Sequence, residues 1–284
     1  MNTQSVGYKA RAFEARNLVI FVLVILGMTG VAVGFQLSPD GLPSGIPGAV
    51  LGVMFLLLPC ITAFGLTAIS EGKPGIKALW RRFWNRNLRL KWLIVVLLTF
   101  PAFWLIVNLV YRTLDRQDYP VFALPDPPWT LITMFITYFI YAMGEEFGWR
   151  GYVLPRLQVR WSALTSSILV GLLWAGYHLG NYVLTGSHAG LTFWEYTFRL
   201  ILLSILYTWV FNNTKGSVLA VVLFHAASNV NIFWTEFVLN NLWPYFEVLL
   251  AMAILIMAIF GPKNLVRQKP EKAVEQDKVQ AMSD

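Results

Sequence analysis

Eight stretches of this chain are apolar over about 20 residues, the length a helix needs to cross the hydrocarbon core of a bilayer. That pattern excludes most folds. Inside hydrocarbon every backbone N–H and C=O needs a partner within its own segment, so such runs become helices. They fall at about 18–37, 47–70 and 92–111, from Trp129 into Glu145 and Glu146, and then at about 162–184, 196–213, 217–239 and 243–261. Pro101 interrupts the third and predicts a kink. Composition agrees: 57% of residues are hydrophobic and only 13% charged, with a mean hydropathy of +0.58, whereas soluble domains carry about 25% charged residues. The first run is too long for a signal-peptide core and no small-residue cleavage site follows it, so it reads as a retained helix. The expected fold class is an all-α integral membrane protein with eight transmembrane helices.

Charge placement orients it. With eight spans both termini share a side with the connections after helices 2, 4 and 6. Those pieces hold Lys9, Arg11 and Arg16, seven Lys or Arg from Lys73 to Lys91, then Arg150, Arg156, Arg160, Lys215 and five more in the tail. The opposite loops hold Arg112 and Arg116, diluted by Asp115, Asp118 and Asp126. Positive residues collect on the cytoplasmic side, which places both termini there in a cell membrane. The net charge of +7 therefore marks a cytoplasmic membrane surface, not a nucleic-acid partner. Segment 76–92 mixes Lys and Arg with three tryptophans and predicts an amphipathic helix lying in the lipid interface between helices 2 and 3. Residues 1–262 form one membrane domain on this reading, and the charged tail 263–284, which lacks aromatics, is expected to be disordered. Cys60 stands alone in an apolar run, so the chain offers no cysteine pair for a disulfide or a metal.

Against that apolar background a few polar groups stand out. Helix 4 carries Glu145, Glu146 and Arg150; helix 5 carries His178 and Asn181; helix 7 carries His225, Asn229 and Asn231. Charge inside a bilayer costs from roughly 2.5 kcal/mol upward, so such residues turn inward and serve function. Residues four apart share a helix face, so Glu146 pairs with Arg150, and Asn229 lies one turn from His225. Gly144, Gly148, Gly151, Gly171, Ala175, Gly176, Ala226 and Ala227 let these helices approach closely. A carboxylate, two imidazoles and a carboxamide in a dry pocket point to hydrolysis. The carboxylate takes a proton from water. A histidine orients that water or binds a metal that acidifies it, and Asn with a second His donates to an oxyanion. Zinc, held by His178 and His225 with a glutamate, stays open beside a metal-independent route. His188, in an external loop, and the single residues Asn181 and Asn231 read as structural.

These residues resemble the motifs of the CAAX prenyl protease 2-like and bacteriocin-processing proteins, the CPBP or ABI family. "EEFGWR" matches its two glutamates, three variable residues and arginine, from Glu145 to Arg150. "WAGYH" matches its phenylalanine, three residues and histidine, with Trp174 replacing the phenylalanine ahead of His178. "HAASN" matches the third motif, from His225 to Asn229. The likeness covers about residues 129–240. It implies an intramembrane endopeptidase active near the cytoplasmic face, with Glu145 as the water-activating base, His178 positioning the water, and His225 with Asn229 forming the oxyanion site. It also implies a peptide or lipidated protein substrate, such as a lipidated C-terminus or a bacteriocin leader, with membrane lipid as the medium.

Two other classes fit the same polar set: a non-catalytic immunity protein that captures a membrane-active peptide, and a proton-coupled transporter, although the internal repeats of a transporter are not evident. One geometric conflict remains. At about 1.5 Å per residue, Glu145 lies some 24 Å from the external start of helix 4, and His178 some 24 Å from the cytoplasmic start of helix 5. The two meet only if helix 4 is long, continuing past Arg150 to about Arg156.

Overall fold

The computed structural model describes residues 15–38, 45–84, 88–115, 126–185, 191–230 and 243–267. They build helices α1 (Ala15–Leu37), α2 (Gly45–Leu56), α3 (Leu58–Phe83), α4 (Leu90–Asp115) and α5 (Thr130–Gly148). A π-helical turn, Trp149–Val153, leads into the short α6 (Leu154–Leu157). Then follow α7 (Ala163–Thr185), α8 (Phe193–Asn213), α9 (Val218–Asn229) and α10, Trp243–Phe260. A helix lies on each of the eight apolar runs. By length and composition, however, only Ala15–Leu37, Leu90–Val110 and Ala163–Gly180 qualify alone as spans among the described residues. Val50–Leu56 and Leu58–Phe83 qualify together as a pair bent by 63°.

The second run bends at Leu57, where Pro59, in the first turn of α3, has no N–H to offer the Phe55 carbonyl one turn before it. α3 bends again at Gly72, whose φ of 63° and ψ of −159° only a residue without a Cβ adopts readily. The amphipathic segment expected over 76–92 is therefore the second half of α3. It ends at Phe83, and Leu90–Trp92 already belong to α4. Nor is it free in the interface. Trp80 and Phe83 stack on Phe147 of α5, with ring centroids 5.6 Å apart in each case. In the seventh run α9 ends at Asn229, and residues 231–242, with Asn231, lie outside the described residues. So do His188 and the side chain of Asn181. At the start of the expected tail, the Lys263 carbonyl accepts from the Ala163 N–H at 2.7 Å, and that of Leu265 accepts from Asn213 at 2.7 Å.

The exterior is apolar. Ile132, Ile136 and Ile140, four apart on α5, are 64%, 53% and 51% exposed. They form an outward stripe while Ala142, Gly144, Glu145 and Glu146 of the same helix are buried. An apolar exterior around a core that holds buried charges suits lipid and not water. α7 packs on α1 and α8, and α5 on α3 and α9, with α4 also against α9. Small residues set these approaches: a Cβ at Gly148 would stand 2.6 Å from the Pro59 Cβ, and one at Gly171 would stand 2.7 Å from the Ile201 Cα.

The long fourth helix is present. α5, the π turn and α6 form one uninterrupted helical run to Leu157. Its widening has a covalent cause. Pro155 has no N–H to offer the Gly151 carbonyl one turn before it, and its ring crowds that carbonyl. The Trp149 carbonyl instead accepts from Leu154, five residues on, and the released Gly151 carbonyl accepts from Arg82 at 2.6 Å. Arg156 joins the same support through Glu71 at 2.6 Å. α3 and the π turn are thereby fastened together immediately beyond Arg150.

Candidate active site

Glu146 and Arg150 form the floor of the site. Both side chains are fully buried. Arg150 Nη1 donates to Glu146 Oε1 at 2.8 Å and Oε2 at 3.0 Å, and its Nη2 donates to Ser204 Oγ at 3.3 Å. The guanidinium lies 4.8 Å from the Trp174 ring centroid and 4.7 Å from that of Tyr207. An ion pair out of water persists only when geometry and added partners offset desolvation. Here a charge-assisted fork, a hydroxyl and two aromatic faces supply them.

His225 completes this layer, its Nδ1 2.9 Å from Glu146 Oε1. A carboxylate only accepts, so Nδ1 carries the proton and Nε2 faces the remaining space. The backbone below is also fixed. Ser228 Oγ donates to the His225 carbonyl at 2.8 Å. That uses its one proton, so Tyr207 is the donor in its 2.6 Å contact with Ser228.

Glu145, one position earlier on α5, is turned onto a different neighbour. Trp174 Nε1 on α7 donates to Glu145 Oε2 at 2.5 Å. Glu145 keeps 6% exposure where Glu146 and Arg150 keep none, so it is the carboxylate that water can reach. One turn along α7, His178 Nδ1 lies 2.9 Å from the Trp174 carbonyl. A carbonyl only accepts, so the proton sits on Nδ1 and the Nε2 lone pair is left open. The Trp174 ring centroid is 5.9 Å from that of His178 and 5.3 Å from that of His225.

Five of the six residues singled out from the sequence, namely Glu145, Glu146, Arg150, His178 and His225, thus gather around one indole. Asn229, the sixth, ends α9 one turn beyond His225 and is half-buried. The metal alternative meets a misfit. Among the described residues no group of three or more His, Cys, Asp or Glu side chains converges to hold an ion. The Arg150 fork occupies both oxygens of Glu146. A three-ligand zinc site is not built among the described residues.

Sequence reasoning missed the contribution of α8. Ser204, Tyr207 and Thr208, three and four apart, form a buried polar stripe in an apolar run, and that spacing was a readable signal. It also missed Arg199, a basic residue inside the sixth run, whose Nε donates to Tyr245 of α10 at 2.8 Å. Nor does the sequence alone show that Trp174 Nε1 reaches Glu145.

Residues 127–231, which contain all six, match the family model described as "Type II CAAX prenyl endopeptidase Rce1-like". Over that segment the chain resembles that family. The resemblance extends further in a relative from Methanococcus maripaludis, a protein named CAAX prenyl protease 2. It is 25% identical over 233 residues, which cover 74% of this chain and 79% of the relative. The Rce1-like segment starts at the cis bond between Asp126 and Pro127 and ends just past α9. It therefore carries α5, α7 and α9, the three helices that bring the polar residues together.

The ion pair gives a direct prediction. Arg150→Met strands a buried carboxylate and is expected to cost about 3–5 kcal/mol of stability. Adding Glu146→Gln should recover roughly half or more of that loss, because the uncompensated charge is then gone. Unfolding of the purified variants in detergent checks this; additive losses would show that the two side chains are uncoupled.

Proposed function

We propose that this chain is an intramembrane endopeptidase in which Glu145 activates the attacking water. The observation that carries the reading is the division of labour between adjacent glutamates: Glu146 is sealed in an ion pair, while Glu145 is anchored through one oxygen and retains access. The Rce1-like match supports a protease.

On this account water sits between Glu145 and the open Nε2 of His178. Glu145 takes a proton as the water oxygen adds to the scissile carbonyl. The developing oxyanion receives hydrogen bonds from Asn229 and from Nε2 of His225, which requires His225 to carry both ring protons; the Glu146 carboxylate stands against that charge. Glu145 then delivers its proton to the departing amine as the C–N bond breaks. Arg150 and Glu146 act by position. Preorganised donors of this kind are worth roughly 3 kcal/mol each in the transition state.

The substrate on this reading is a peptide segment held at the membrane, and a lipidated C-terminus is the class that the names of the family and the relative suggest. The catalytic machinery sits in eight spans with both termini in the cytoplasm, and the site opens to that side. Topology can be tested by introducing single cysteines into a Cys60→Ser chain. A membrane-impermeant maleimide applied to intact cells should label position 118 but neither terminus, and labelling of a terminus from outside contradicts the orientation.

Glu145→Gln keeps the shape and removes the base. Comparison of peptide termini in membranes carrying wild type or the variant should reveal cleavage products that the variant forms about 10²–10⁴-fold more slowly. Undiminished cleavage by a folded, equally abundant variant would overturn the assignment. The absence of products from both would favour peptide capture.

A further inference from the structure

Trp174 stands where the resembled motif has a phenylalanine, and the ring alone does not account for what it does. Its indole is 2% exposed, yet its one polar atom is spent on Glu145 at 2.5 Å. Pairing is not forced on a buried indole in this protein: Nε1 of Trp149 and of Trp209 are buried without an acceptor. The contact with Glu145 is therefore a specific one. We propose that Trp174 is a positioning residue that sets the orientation of the base, a role resting on the assignment of Glu145 above.

A carboxylate side chain on a helix rotates about its last bonds, and its two oxygens are equivalent until something distinguishes them. The indole N–H makes that distinction. By holding Oε2 it leaves Oε1 as the oxygen that meets water. The same residue fixes the second participant through its main chain, since the Trp174 carbonyl engages Nδ1 of His178 and turns Nε2 outward. Base and water-orienting imidazole are thereby referred to one residue on one helix turn. The main-chain part works with any residue at 174; the side-chain part needs a donor that reaches Glu145. The ring also contacts Tyr207, His225 and Arg150, and phenylalanine would largely keep those contacts while losing the N–H.

Trp174→Phe is thus the informative change. The variant should fold, with kcat lowered about tenfold or more and KM nearly unchanged, because orientation of the base is lost while substrate contacts remain. Trp174→Gln, which keeps an N–H but sacrifices the ring, should recover part of the lost kcat relative to Trp174→Ala. A Phe variant as fast as wild type, or one altered only in KM, overturns the proposal. Glu145→Gln run alongside separates the two claims: if it is inactive while Trp174→Phe is normal, positioning fails and the base assignment stands; if it is active, the base assignment itself fails. Should the Phe variant not fold, ultraviolet resonance Raman of wild type against Glu145→Gln remains decisive. A shifted indole N–H mode supports the contact, and an unchanged spectrum refutes it.

Discussion

The buried pair between Glu146 and Arg150 is the constraint around which the rest of the structure is arranged. Neither charge touches solvent, and a membrane interior offers none to compensate. The pair survives because four helices deliver partners to it: α5 and the π turn that continues it carry the two charges, α7 brings the Trp174 face, α8 brings Ser204 and the Tyr207 face, and α9 brings His225. Removal of any one of these helices leaves polar atoms stranded, and that penalty makes the convergence cooperative. The ion pair supports function indirectly. Consecutive residues on a helix point about 100° apart, so fixing Glu146 inward fixes the direction in which Glu145 leaves the same helix.

Such a junction requires close approach and a local departure from α geometry. Both are encoded by residues without chemical roles. Gly144 and Gly148 bring α5 against the break between α2 and α3, where a Cβ would meet Leu56 or Pro59 below 3 Å. Pro155 releases the Gly151 carbonyl, and Arg82 takes it up from α3. The segment that composition marks as a lipid-surface helix is in this way also a brace for the site. Its Arg82 holds the π turn, and its aromatic face stacks on Phe147, the residue directly after the glutamates.

Much of the site was legible from spacing. Charges four apart on one helix implied the Glu146–Arg150 pair, and polar residues in apolar runs implied inward faces. The conflict in depth between Glu145 and His178 implied a helix longer than its apolar run. The rest was illegible for identifiable reasons. A tryptophan in an apolar stretch reads as bulk, because its single donor matters only when an acceptor on another helix lies within reach. The bend at Leu57 falls inside an apolar run whose length alone reads as one straight span. The stripe of Ser204, Tyr207 and Thr208 can be read from spacing, but its meeting with Arg150 depends on where α8 packs. Eight spans were expected from run length, whereas among the described residues three helices qualify alone and one further pair is bent by 63°.

The central claim is that water, and not a glutamate oxygen, attacks the scissile carbonyl. A single turnover in ¹⁸O-labelled water, with enzyme in excess over a cleavable peptide, tests this most directly. Direct attack places one ¹⁸O in the new C-terminal carboxylate and leaves Glu145 unlabelled. Label found in the Glu145 side chain, with ¹⁶O in the first-turnover product, would mean that the carboxylate had acted as a nucleophile through an anhydride and would contradict the account.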